Sequence, residues 1–180
     1  MDHELRILML EDAETDAEII EEELREAGLV YSARRVESRE DFIRGLEEFA
    51  PDIVLADYKL PAFDGLAAVR IVRERRPDVP VIIVTGTLGD ELAVELLREG
   101  ARDYVLKERL ARLAPAVRRA LEEARLEADK REAEQVLRKQ LDELRRFQKA
   151  TVERELRMKE LKEENQRLRE QLVAFMNETQ

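Results

Sequence analysis

Cysteine is absent from the 180 residues, and histidine occurs once, as His3. Without thiols there can be no disulfide and no thiolate metal site, and the reducing cytoplasm is the expected compartment. No apolar run approaches the roughly 18 residues of a spanning helix. The opening "MDHELRILML" also lacks a secretory pattern, so a soluble and unprocessed chain is expected, without a membrane partner. Glycine ends at Gly100 and proline at Pro115, which leaves 65 residues free of both helix breakers. That segment can form one long helix. No Gly/Ser-rich linker precedes it, so a rigid continuation of the front half is expected.

A basic block is missing as well. Of 32 Lys+Arg and 42 Asp+Glu, residues 116–180 carry 16 and 15, leaving 16 and 27 for residues 1–115. The front is thus near −11 and the tail near +1. Such a balance repels nucleic acid or ignores it, and no nucleic-acid partner is expected.

What is present in the front half is alternation. "RILML" (6–10), "DIVLAD" (52–57), "VPVIIVTG" (79–86) and "DYVL" (103–106) read as buried strands, with a weaker one at "SARRV" (32–36). Runs this apolar suit a parallel sheet covered on both faces. Helix starts are marked between them by possible capping boxes at Thr15/Glu18, Ser38/Asp41 and Thr87/Asp90, and by Asp64 before Gly65. Five strands alternating with five helices predict a small doubly wound α/β domain.

In such a sheet, ligands bind at the carboxyl ends of the strands. The first strand runs into Glu11 and Asp12, the third ends on Asp57, the fourth on Thr85, and Lys107 follows the fifth. Taken singly, each acid is more often a cap or turn residue. Together they put three carboxylates, a hydroxyl and an ammonium on one edge. Crowded carboxylates repel unless a cation joins them, and an all-oxygen set suits Mg²⁺ or Mn²⁺. Phosphoryl transfer needs such charge neutralisation and positioning more than an acid–base dyad. Asp57 is then the candidate nucleophile, with Thr85 and Lys107 contacting the phosphoryl oxygens.

The acid pair in "LMLEDAETDAE", the "DYKLPAFDG" segment, "VIIVTG" and "GARDYVLK" resemble a response-regulator receiver domain over residues 4–121. The resemblance implies a flavodoxin-like sheet in the order 2-1-3-4-5. It implies that Asp57 accepts a phosphoryl group from a histidine kinase or phosphotransfer protein. Glu11, Asp12 and Asp57 would hold Mg²⁺ with the backbone carbonyl of Lys59, and Thr85 with Tyr104 would form the switch. Lys59 and Thr87 fall where the family tunes autodephosphorylation. Beyond self-phosphorylation and autodephosphorylation, which depend on Mg²⁺, no enzyme activity is implied. Glu108 stands where the family has a proline in a cis peptide, so a trans bond is expected there.

Residues 122–180 are expected to form a coiled coil. Leu144, Thr151, Met158, Asn165 and Leu172 fit a positions, and Phe147, Arg154, Leu161, Leu168 and Phe175 fit d positions. The strongest part runs from Leu161 through Asn165 and Leu168 to Leu172 and Phe175. One Asn at an a position favours a parallel dimer in register, so a homodimer is expected. Leu137, Leu141, Leu144 and Phe147 are spaced 4, 3 and 3, a stammer that overwinds the coil locally. Pro115 is placed in the first turn of the last receiver helix, which would continue into the coil.

The leading expectation is a phosphorylation-controlled dimer whose output is its coiled coil and not a DNA-binding domain. The alternatives are a receiver-plus-linker fragment of a larger hybrid sensor protein and a constitutive scaffold. A phosphatase of the aspartyl-phosphate type is disfavoured, because Lys59 stands where the general acid would be. With His3 alone, the chain can receive a phosphoryl group but cannot act as a histidine kinase.

Overall fold

The computed structural model describes residues 4–61, 63–86 and 90–178, and their side chains except at 90, 91 and 172–178. Thr87 and His3, and the side chains of Leu172 and Phe175, therefore lie outside the described residues. The chain divides into two compact units, Met1–Asp129 and Lys130–Gln180.

The four apolar runs and the weaker segment form five parallel strands: β1 (Leu5–Leu10), β2 (Tyr31–Val36), β3 (Ile53–Ala56), β4 (Val81–Thr85) and β5 (Asp103–Leu106). Their order is 2-1-3-4-5, as expected for a flavodoxin-like sheet. The period-2 alternation of a strand splits each apolar run between two cores. Ile7, Met9, Ile53, Leu55, Ile82 and Val84 pack with Ala17, Ile20 and Leu24 of α1 (Glu14–Glu26) and Leu113, Val117 and Ala120 of α5 (Leu113–Glu178). Leu8, Leu10, Val54, Ala56, Val81 and Ile83 face the other way. They meet Phe42 of α2 (Arg39–Arg44), Val69 and Val72 of α3 (Gly65–Arg75) and Leu96 of α4 (Asp90–Glu99). Both faces are covered, which is why the central strands could be apolar throughout.

The helix starts follow the predicted caps in two of the three described cases. Ser38 Oγ accepts the Asp41 N–H and donates to the Asp41 carboxylate, and Asp64 Oδ1 accepts the Ala67 N–H at 2.7 Å. At α1 the expectation is corrected: the N-cap is Ala13, without a side-chain cap, so Thr15 lies inside the helix. After β5 the chain turns directly into a 3-10 segment, Lys107–Arg112. No peptide bond of the described residues is cis, in line with Glu108 replacing proline. Pro115 falls in the first turn of α5, where its missing N–H costs nothing.

Lys130–Gln180 is helical to Glu178, and none of its described side chains is buried. Leu137, Leu141, Leu144, Phe147, Met158, Leu161 and Leu168 are all exposed. Among the described residues, no helix is long and apolar enough to cross a membrane.

Candidate functional site

Each acid of the site is fixed by the sheet before its side chain is considered. The Glu11 N–H donates to the Val36 carbonyl and the Asp57 N–H to the Leu10 carbonyl, so the ladder continues one residue past β1 and β3. Both side chains thereby leave the carboxyl edge of the sheet while staying buried, at 1% and 10% exposure. Thr85 ends β4 and is also buried. Lys107 opens the 3-10 segment after β5 and reaches back across the edge.

Its ammonium donates to three carboxylates: Glu11 Oε2 at 2.8 Å, Asp57 Oδ2 at 2.7 Å and Asp16 Oδ2 at 2.5 Å. Oxygens of these three acids lie within 4.8 Å of one another. The other oxygens are held by backbone: Asp57 Oδ1 accepts the Lys59 N–H and Glu11 Oε1 the Ala13 N–H. One ammonium among three carboxylates leaves the cluster short of positive charge. Burial pushes the Glu11 carboxyl above its ordinary value of 4.5, against the lowering by the hydrogen bond and charge of Lys107. Burial also disfavours the ammonium, but the hydrogen bonds to Asp16, Asp57 and Glu11 outweigh it and hold Lys107 above its ordinary 10.5. It is therefore fully charged at neutral pH.

Glu11, Asp57 and Lys107 are thus brought together as the sequence implied. Asp12 is not. Its side chain is exposed and stands outside the group of converging acids, while its backbone carbonyl accepts from Arg35. Asp16 takes the third place, and sequence reasoning missed it. A clue was available: α1 begins directly beyond β1, so acids of its first turn border the same sheet edge as Glu11. Tyr104 is half-buried in β5 and packs on the core beside α3 and α4.

Gly65 follows the Asp64 cap, and it does more than open the helix. A Cβ there would stand 2.7 Å from the Asp57 carbonyl oxygen and 2.9 Å from Tyr58 Cα. The Gly65 N–H donates to the Tyr58 carbonyl. The start of α3 therefore lies directly against the backbone that carries the central carboxylate.

All donors in the cluster are hard oxygens, and they carry an excess of negative charge that a divalent cation of the Mg²⁺ type would neutralise. The donor set fits such an ion.

A family model described as the response regulator receiver domain matches residues 7–118. Among curated proteins, the C4-dicarboxylate transport transcriptional regulatory protein DctD of Rhizobium meliloti is 32% identical over 126 residues, covering 69% of this chain and 27% of that protein. The DNA-binding transcriptional regulator NtrC of Klebsiella pneumoniae is 36% identical over 89 residues, covering 49% of this chain and 19% of that protein. The match therefore spans only about a fifth to a quarter of these curated relatives. Among solved structures, the signal receiver domain of a LuxO repressor protein from Vibrio parahaemolyticus aligns with a TM-score of 0.63 at 28% identity. That alignment covers 70% of this chain and 96% of that one.

Proposed function

The chain belongs to the response regulator receiver domain family, and on that premise we propose that Asp57 accepts a phosphoryl group from a histidine kinase or phosphotransfer protein. The observation that supports this most is the Asp57 carboxylate itself. It is buried at the sheet edge, with one oxygen on the Lys59 N–H and the other on the Lys107 ammonium. A carboxylate pinned at both oxygens presents a defined line of attack. An Asp57 oxygen bonds to phosphorus as the phosphorus–nitrogen bond of the donor phosphohistidine breaks, and the departing imidazole nitrogen takes up a proton. Lys107 balances charge on the transferred oxygens, and Thr85, at the neighbouring strand end, donates to one of them.

Glu11, Asp12, Asp57 and the Lys59 carbonyl are the proposed ligands of Mg²⁺ (or Mn²⁺), with Asp12 included by likeness to the family and Glu11 and Asp57 supported by their convergence. The ion, when bound, neutralises phosphoryl oxygens during transfer. Lys107 ties Glu11 and Asp57 together through its ammonium. Thr85 and Tyr104 form the proposed switch, in which movement of the hydroxyl toward the phosphoryl group draws the ring inward.

The second part of the reading is a homodimer through the coiled coil of residues 122–180. Its support is the row of exposed apolar side chains from Leu137 to Leu168. A single helix leaves them in water, and a parallel partner in the Asn165 register would cover them. Phosphorylation then biases this helix pair, without a DNA-binding output in these residues. DctD and NtrC are named as transcriptional regulators, so a regulator of that kind, with this chain as its receiver part, is the alternative. Light scattering before and after treatment with Mg²⁺ and beryllofluoride tests the proposal. A dimer that changes shape supports it, and a monomer in both states refutes the coiled-coil output.

A further inference from the structure

Asp16 stands apart from the phosphoryl-transfer residues proposed above, yet it makes the shortest of the three contacts to Lys107. An ammonium has three N–H donors and no acceptor. Glu11, Asp57 and Asp16 give it three carboxylates, so its donors are matched one to one. Phosphorylation takes the carboxylate charge from Asp57, so the N–H it held passes to a phosphoryl oxygen, and a second N–H can follow only by leaving Glu11 or Asp16.

The three acids are not equally displaceable. Glu11 and Asp57 are anchored at strand ends through the Val36 and Leu10 carbonyls and are almost wholly buried. Asp16 comes from another element, the first turn of α1, and is 36% exposed. Its neighbour Ala17 is packed in the core, which fixes the helix and aims Asp16 over the edge of the sheet. This most exposed acceptor also carries the same sign of charge as the incoming group.

Building on the phosphoacceptor reading, we infer that Asp16 is a positioning residue. It competes with the phosphoryl group of phospho-Asp57 for one N–H of Lys107 and so limits how firmly the phosphorylated state is held. In the resting state it keeps the ammonium over the cluster, and in the modified state it retains an N–H that would otherwise turn to the phosphoryl group.

Beryllofluoride binding at saturating Mg²⁺ is the test, measured by calorimetry on the full chain. Asp16→Ala should bind roughly tenfold tighter, the scale of one charge-assisted hydrogen bond. Asp16→Glu should stay near wild type. In a Lys107→Met background the same Asp16→Ala change should shrink to under about threefold, because a double-mutant cycle isolates the Lys107-dependent part. In metal-free protein, nitrogen NMR should show the Lys107 N–H groups exchanging with water faster in Asp16→Ala, and slowly again in Asp16→Glu. Unchanged or weaker binding by Asp16→Ala, or an equal gain without Lys107, overturns the inference. Failure of the underlying reading looks different: wild type and Asp57→Asn then respond alike to beryllofluoride.

Discussion

Gly65→Ala tests how closely α3 is built onto the strand that leads into Asp57. The added methyl would meet the Asp57 carbonyl oxygen at 2.7 Å, Tyr58 Cα at 2.9 Å and Ile83 Cδ1 at 3.2 Å. The first two are backbone atoms and cannot turn aside as a side chain can. Either α3 lifts away, breaking the bond from Gly65 N–H to the Tyr58 carbonyl, or the segment from Asp57 to Tyr58 moves. Overpacking that forces backbone shifts costs about 1–3 kcal/mol, somewhat offset by the entropy lost from the unfolded chain when Gly becomes Ala, about 0.4–1 kcal/mol. The net expectation is a loss of about 1–2 kcal/mol in urea unfolding. The same shift should weaken beryllofluoride binding by roughly tenfold, since a displacement near 1 Å is costly to a positioned nucleophile. Gly86→Ala is the control, because a Cβ there meets nothing within 4 Å. If Gly65→Ala is as stable as Gly86→Ala and binds beryllofluoride like wild type, the close approach is not a constraint and the reasoning fails.

Phe42→Ala removes a fully buried ring that lies 5.5 Å from the Phe63 ring, and should cost about 3–5 kcal/mol in the same unfolding assay. Ser38→Ala deletes the one side-chain cap of α2 and should cost about 1 kcal/mol. Glu11 holds its proton more tightly folded than unfolded, so its contribution is fully present below pH 4.5 and is lost as pH rises through its raised value. Stability measured from pH 4 to 7 should therefore shift against wild type relative to Glu11→Gln as pH increases through that window. Light scattering should give twice the 21.0 kDa chain mass for wild type, and Leu161→Asp together with Leu168→Asp should return it to one.

The central strands β1, β3 and β4 were legible because each is a short, nearly unbroken apolar run, as burial on both faces of a parallel sheet demands, whereas the edge strand β2, with its arginines, gave a weaker signal. The site was legible where its residues end strands: Glu11, Asp57 and Lys107 are carried to one edge by topology alone. Asp16 was not, because it sits on a helix turn whose start was read from Thr15 and Glu18, and its partner Lys107 is 91 residues away. The tight approach of Gly65 to Asp57 was hidden for a related reason. It depends on how α3 docks against the end of β3, and an Asp-Gly pair by itself speaks only of a turn. The missing proline after Lys107 was visible in the sequence, but not its outcome, a 3-10 turn that still delivers the ammonium to the acids.

The central claim is that Asp57 is the phosphoacceptor. Intact-mass spectrometry after incubation with Mg²⁺ and acetyl phosphate tests it most directly. The account predicts one added phosphoryl group on wild type, released by hydroxylamine as an acyl phosphate must be, and none on Asp57→Asn. An unmodified wild type, or an Asp57→Asn protein that gains the same mass, would contradict it.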